Sequence, residues 1–228
     1  TRTRRQRQMC IRDRVTGASE GIGAEFIQIL AARGYDLILV ARSEDKLNRL
    51  AAKAETEFNI KCTVIVADLS QSKAAHNLFQ RVHELNLDVN FLVNNAGLLK
   101  NGFFTELSLE EQEKMIAVNV IALTSLTHLF ANYMASKDGG YILNVASLAG
   151  WMAIPNQNVY AATKAYVLAF TQALANEMIA ADSGVTITAL CPGYTATKMM
   201  DNPDQGATLR IPSSLSLIHI SEPTRPGH

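Results

Sequence analysis

Tyr160 and Lys164 stand four residues apart in Tyr160-Ala161-Ala162-Thr163-Lys164. On a helix that spacing puts a phenol and an ammonium on one face. A tyrosine at its ordinary pKa of about 10 is a poor base at neutral pH. A neighbouring cation favours the phenolate and brings the group into catalytic range. Alone the pair is common on helix surfaces, but two further residues join it. Ser147 lies thirteen residues upstream, just after an apolar run, where its hydroxyl could orient a substrate oxygen. Asn119 sits in Val118-Asn119-Val120. An amide among apolar neighbours is costly unless hydrogen-bonded, so it is either a satisfied core residue or a functional one.

A second group of residues has the chemistry to hold phosphates. Thr16-Gly17-Ala18-Ser19-Glu20-Gly21-Ile22-Gly23 lies between a strand remnant and a helix. Glycines there let the backbone turn tightly and approach a pyrophosphate whose charge the helix N-terminus stabilises. The next strand ends in Val40-Ala41-Arg42-Ser43. A carboxylate at that point would bind the ribose 2′-hydroxyl of NAD, whereas a basic residue accommodates the 2′-phosphate of NADP. Arg42 supplies a planar fork of donors suited to phosphate, and Ser43 adds a hydroxyl, so the expected cofactor is NADP(H).

These residues need a scaffold, and the chain from Val15 alternates strand-like and helix-like segments, the pattern of a parallel sheet covered by helices. Leu37–Val40, Thr63–Val66, Phe91–Val93, Tyr141–Val145 and Val185–Leu190 are short apolar runs, as expected for strands buried on both faces. Ile22–Arg33 carries Ile22, Phe26, Ile29 and Leu30 at helical spacing and stops at Gly34. Leu47 and Leu50 mark a helix after Ser43. Ser108 and Glu111 form a capping box that opens a long helix through about Met134, and Asn158 to Ala181 forms another.

In order and spacing, the glycine loop, Asn94-Asn95-Ala96-Gly97, Asn119, Ser147, Tyr160 and Lys164 resemble the short-chain dehydrogenase/reductase family. The likeness runs from Val15 to about Met200, and the wording of Leu143–Ser147 and Ala189–Gly193 is similar to an NADP-preferring bacterial branch. The resemblance implies one α/β domain with a Rossmann-like, doubly wound parallel sheet. It also implies hydride transfer between the nicotinamide and a carbonyl or secondary alcohol. Tyr160 would be the general acid/base, Ser147 would polarise the substrate oxygen, Lys164 would lower the tyrosine pKa and hold the nicotinamide ribose, and Asn119 would anchor a proton-relay water. Cofactor contacts would come from Gly17, Ser19, Gly21, Ile22, Gly23, Arg42, Ser43, Asp68, Leu69, Asn94, Ala96, Gly97, Tyr160, Lys164, Pro192, Gly193 and Thr195. Asp68-Leu69 would meet the adenine, Asn94-Asn95-Ala96-Gly97 would stabilise the central sheet and lie along the cofactor, and Thr195 would meet the carboxamide. Leu98, Leu99, Phe103, Phe104, Trp151 and Met152 either line an apolar substrate pocket or are ordinary core or interface residues. Expected partners are a small-molecule carbonyl or alcohol and a second copy in a homodimer or homotetramer, with neither nucleic acid nor membrane. The competing expectations are a non-catalytic NADP-binding sensor or scaffold of the same fold, and an inactive fragment.

Composition agrees with a globular domain: 48% of the 228 residues are hydrophobic, enough for a sizeable core. Unbroken apolar runs fall short of the roughly 18–20 residues of a membrane span. Cys10, Cys62 and Cys191 match neither a disulfide framework nor a metal site, so no metal and a cytoplasmic location are expected. The histidines are scattered, although His76 and His83 could share a helix face. Lys and Arg balance Asp and Glu at 21 each, but the basic residues crowd the start of the chain. The DNA string CAG-ATG-TGT-ATA-AGA-GAC-AG encodes Gln8 to Asp13, and its reverse complement encodes Leu215 to Ile220. One element resembling a sequencing-library adapter thus accounts for both ends. The expectation is a partial domain over residues 15–214, with residues 1–14 and 215–228 foreign to it. The first strand would then be mostly missing, with Met9–Val15 threaded into its slot, and the last strand would be absent.

Overall fold

The computed structural model describes residues 12–137 and 139–193, with side chains from Thr16 onward. Thr195, Cys10, His219 and the segment 215–228 lie outside the described residues. Six strands form one parallel sheet: β1 (Arg12–Thr16), β2 (Asp36–Ala41), β3 (Cys62–Val66), β4 (Val89–Asn94), β5 (Gly140–Val145) and β6 (Val185–Leu190). Their order is β3-β2-β1-β4-β5-β6, and every neighbouring pair is parallel. Order reverses between β1 and β4, which is the switch point where open α/β sheets bind ligands at the carboxyl ends of their strands.

The helices are α1 (Gly21–Ala32), α2 (Glu44–Phe58), α3 (Ala74–Glu84), α4 (Leu109–Ala135) and α5 (Asn158–Ala180). Two cores result from the alternation of side chains along the strands. Leu37, Leu39, Val93, Leu143 and Val145 pack with Phe26, Ile27 and Leu30 of α1 and Leu47 and Ala51 of α2. Ile38, Val40, Leu92, Ile142 and Ile187 pack on the other side with Leu78 and Val82 of α3 and Leu126, Phe130 and Met134 of α4. The expected doubly wound sheet is therefore built from β2 outward by strict two-residue alternation.

Local signals fix the ends of the elements. After α1 the chain turns at Gly34, whose φ of +81° favours glycine. Helix α2 has Glu44 and Asp45 in its first turn, where carboxylates suit the helix dipole. Ser108 caps α4, its Oγ accepting from Glu111 N at 3.2 Å. The carboxylate of Glu111 reaches Ser108 Oγ and Lys100 rather than completing the reciprocal half of the box.

Strand β1 does form, from Arg12 to Thr16, so residues assigned to the foreign end occupy the central slot between β2 and β4, as the threading expectation allowed. Helix α4 is, by length and composition, apolar enough to cross a membrane, although its unbroken apolar runs are short. From Met115 to Ala135 no charged residue interrupts it. Half of its most apolar window is buried against the rest of the domain, and Asn119 and Thr127 within it find hydrogen-bond partners there.

Candidate active site

Thr16, the last residue of β1, organises the glycine loop. Its buried hydroxyl donates to Val93 O at 3.1 Å and accepts from Asn95 N at 3.0 Å and Ala96 N at 3.2 Å. Asn95 Nδ2 donates to Gly17 O at 3.1 Å, so the turns after β1 and β4 are tied into one unit. Gly17 turns with a φ of +63°. Gly23 is required for a different reason, because a Cβ on it would lie 2.1 Å from Gly17 O.

A cleft of about 540 Å³ opens at the carboxyl ends of the strands. Of the residues expected to contact a cofactor it brings together Gly17, Ser19, Arg42, Ser43, Asp68, Leu69, Ala96 and Gly97. Gly21, Ile22, Gly23, Asn94, Pro192 and Gly193 do not line it. Ile22 packs toward the α1–α2 core, and Asn94 is buried below the cleft. Burial works to raise the Asp68 pKa, but hydrogen bonds from Ser70 and Gln71 and the nearby Arg42 charge hold it below the usual carboxylate value. A carboxylate here therefore stays ionised and remains an acceptor.

At the inner end of the cleft three predicted residues meet. An added Cβ at Gly97 would lie 3.5 Å from Asn119 Oδ1 and 3.6 Å from Lys164 Nζ. Asn119 is fully buried. Its Oδ1 accepts from Leu98 N at 2.8 Å, and its Nδ2 donates to Leu98 O at 2.9 Å and Thr163 Oγ1 at 3.0 Å. It lies in a π-helical stretch of α4, Ala117–Ala122, an irregularity that often accompanies functional positions. The amide is thus satisfied by the structure around it, and it also joins α4 to α5 beside Lys164.

Lys164 is 5% exposed, and its Nζ donates to Val145 O at 2.7 Å and lies 5.8 Å from the Tyr160 ring centroid. Burial pulls its pKa from 10.5 down to about 8, partly opposed by Cys191. Tyr160 is half-buried one turn earlier on α5. Ser147 follows β5, and its Oγ caps a 3₁₀ turn, Leu148–Trp151, by accepting from Ala149 N at 3.1 Å. Gly150 lets that turn press on α5, since a Cβ there would lie 2.8 Å from Lys164 O.

Sequence reasoning gave Asn94 a place in stabilising the central sheet but missed Thr127, Asn144 and Thr171, the rest of the polar cluster that seats α5 on it. Asn94 Nδ2 donates to Asn144 Oδ1 at 2.9 Å and to Thr127 Oγ1 at 3.1 Å, and Asn144 Nδ2 donates to Thr171 Oγ1 at 3.0 Å. All four residues are buried. The available signal was Thr171 at seven residues, two turns, beyond Lys164 on α5. The apolar residues expected to meet substrate divide. Leu98 lines the cleft at the carboxyl ends of the strands. Trp151 and Met152 line a separate apolar hollow of about 600 Å³ with Ile154, Pro155 and Ala161, and Phe103 and Phe104 are exposed. The Cys62 thiol is pushed up to about 12 by burial and by Glu55 and Asp36, which keeps it protonated and unreactive.

This arrangement agrees with what known proteins of similar sequence and shape are. The family model described as short chain dehydrogenase matches residues 14–207. An uncharacterized oxidoreductase of Staphylococcus saprophyticus is 30% identical over 215 residues, covering 94% of this chain and 91% of the relative. The 7beta-hydroxysteroid dehydrogenase of Collinsella aerofaciens is 33% identical over 183 residues, covering 80% of this chain and 68% of that enzyme. Among solved structures, a short-chain dehydrogenase from Sphingobium yanoikuyae in complex with NADPH superposes with a TM-score of 0.80 at 30% identity, covering 90% of this chain and 80% of that one. The matched length, the sheet order and the residues gathered at the switch point lead to one assignment: the chain belongs to the short-chain dehydrogenase family of oxidoreductases.

Proposed function

We propose that the protein is an NADP(H)-dependent oxidoreductase that interconverts a carbonyl and a secondary alcohol, with Tyr160 as general acid and base. The observation that carries this reading is the meeting of Gly97, Asn119 and Lys164 at the inner end of the cleft, one helical turn from Tyr160.

The residues fit a nicotinamide dinucleotide. Gly17 and Gly23 let the turn after β1 pack closely on Ala96 and on itself, where a Cβ would strike backbone, and the α1 N-terminus that this tight turn presents would meet the diphosphate. Arg42 and Ser43 would take the 2′-phosphate, and Asp68 and Leu69 the adenine end. Ala96 and Gly97 would flank the nicotinamide half, and Thr195 is assigned the carboxamide by family resemblance alone. The NADPH complex of the Sphingobium relative supports the same choice of cofactor. When bound, the cofactor supplies or takes up the hydride.

The chain's own residues handle the substrate oxygen and its proton. In the reductive direction the Tyr160 phenol donates a proton to the oxygen that gains negative charge. The Ser147 hydroxyl donates a hydrogen bond to the same oxygen, the type of placed donor that contributes most to such catalysis. Lys164 holds positive charge beside the phenol and so stabilises its phenolate. Asn119 fixes the α4–α5 contact through Thr163, which holds Tyr160 and Lys164 at the cleft. The outer faces of α4 and α5 present Ile121 and the stacked pair Tyr166 and Phe170, a surface suited to a homodimer or homotetramer.

The experiment is to follow NADPH oxidation by the purified chain against a panel of ketones and aldehydes, beside a direct NADPH titration. Consumption with at least one carbonyl is expected. Tight NADPH binding with no consumption across the panel would favour a cofactor-binding, non-catalytic protein.

A further inference from the structure

The rim of the cleft holds an ion pair that the proposed reaction does not use. Glu20 immediately precedes α1, and Lys46 stands near the start of α2. The Lys46 ammonium is hydrogen-bonded to Glu20 Oε1. Both residues line the same cleft as Arg42 and Ser43. The ionisable lining residues are therefore two cations, Arg42 and Lys46, against two carboxylates, Glu20 and Asp68. Glu44 and Asp45, in the same turn as Lys46, are exposed and do not line it.

We propose that Lys46 and Glu20 are specificity-determining residues for the cofactor. Lys46 is a second cation for the ribose 2′-phosphate, and Glu20 is the counter-charge that holds Lys46 and limits how strongly the site prefers the phosphorylated dinucleotide. The inference rests on the phosphate reading of Arg42 and Ser43 above.

Three physical points carry it. A phosphate monoester bears a charge of about −1.5 to −2 at neutral pH, more than one guanidinium balances. Lys46 is a point charge on a flexible stem, able to exchange one anionic partner for another where a rigid fork could not. Its side chain is 42% exposed and that of Glu20 is 37% exposed, so the existing pair is solvated and gives up little on exchange.

The test is calorimetric titration of the full chain with NADPH, NADH and 2′,5′-ADP, the last carrying the phosphate without the nicotinamide. Lys46→Met should weaken NADPH and 2′,5′-ADP about three- to tenfold, the scale of one solvated charge contact, with NADH nearly unchanged. Glu20→Gln keeps side-chain length and should tighten NADPH and 2′,5′-ADP by a similar factor. Wild-type affinity for NADPH should fall with added salt more steeply than that for NADH. Equal losses for both dinucleotides in Lys46→Met, or no tightening in Glu20→Gln, overturn the proposal. Arg42→Ala run in parallel separates the two levels. If it alone discriminates, only the Lys46–Glu20 proposal fails; if it too fails to discriminate, the phosphate reading fails with it.

Discussion

Lys164 Nζ donates a 2.7 Å hydrogen bond to the main-chain carbonyl of Val145, the last residue of β5. One bond therefore ties the helix that carries Tyr160 to the strand that leads into Ser147. It also puts a cation in a buried position, because Lys164 is 5% exposed.

Burial lowers the Lys164 pKa from 10.5 to about 8. Between those values the unfolded chain binds a proton that the folded chain has released. Stability from this group therefore rises with pH through that window. Below about pH 8 the folded protein bears the cost of a buried ammonium. The stability of wild type relative to Lys164→Met should increase from pH 8 to pH 10.5, by an amount on the order of 3 kcal/mol. Urea denaturation of both proteins across this range checks it, and a constant or falling difference contradicts it.

Gly23→Ala places a methyl group where only 2.1 Å separates it from Gly17 O. The obstacle is backbone, so the loop must move. A loss of roughly 1–3 kcal/mol in stability is expected, together with weakened NADPH binding because Gly17 is displaced. Gly34→Ala meets no atom within 4 Å but has a φ of +81°, so it should lose stability without a comparable loss of cofactor affinity. Denaturation and dinucleotide titration on both variants separate the two effects.

Thr171→Val is nearly isosteric but removes the hydroxyl that accepts from Asn144 Nδ2 at 3.0 Å. The buried Asn144 donor is then unpaired, which costs about 1–3 kcal/mol. Thermal unfolding should detect the loss. No change would mean that this contact does not help hold α5 to β5.

Arg42→Ala should reduce affinity for NADPH far more than affinity for NADH, because the guanidinium is assigned to the group that distinguishes them. Fluorescence titration with each dinucleotide measures the ratio. Equal losses would count against NADP preference.

Much of this was legible in the sequence because it depends on local chemistry. Tyr160 and Lys164 share a face by spacing, Ser108 caps α4, and Gly17 and Gly34 mark turns that need positive φ. Other features depend on which segments meet and leave little local trace. Thr16 reads as the opening residue of the glycine loop, but nothing local shows that its hydroxyl joins β1 to the turn after β4. Asn94 was expected both to stabilise the central sheet and to lie along the cofactor; its amide is engaged with Asn144 and Thr127 beneath the cleft, partners that no local spacing signals. The Lys46–Glu20 pair joins residues 26 apart, and helix α3 lacks the strong start signal that marks α4. The apolar stretch of α4 escapes a search for unbroken apolar runs because Asn119, Thr127 and His128 interrupt it.

The central claim is that Tyr160 moves the proton. The direct measurement is kcat of Tyr160→Phe for NADPH-dependent carbonyl reduction, with NADPH affinity and thermal stability measured on the same sample. The account predicts a fall of about 10²–10⁴-fold in kcat with cofactor binding and folding retained. Turnover near the wild-type value in a folded, NADPH-binding variant would contradict it.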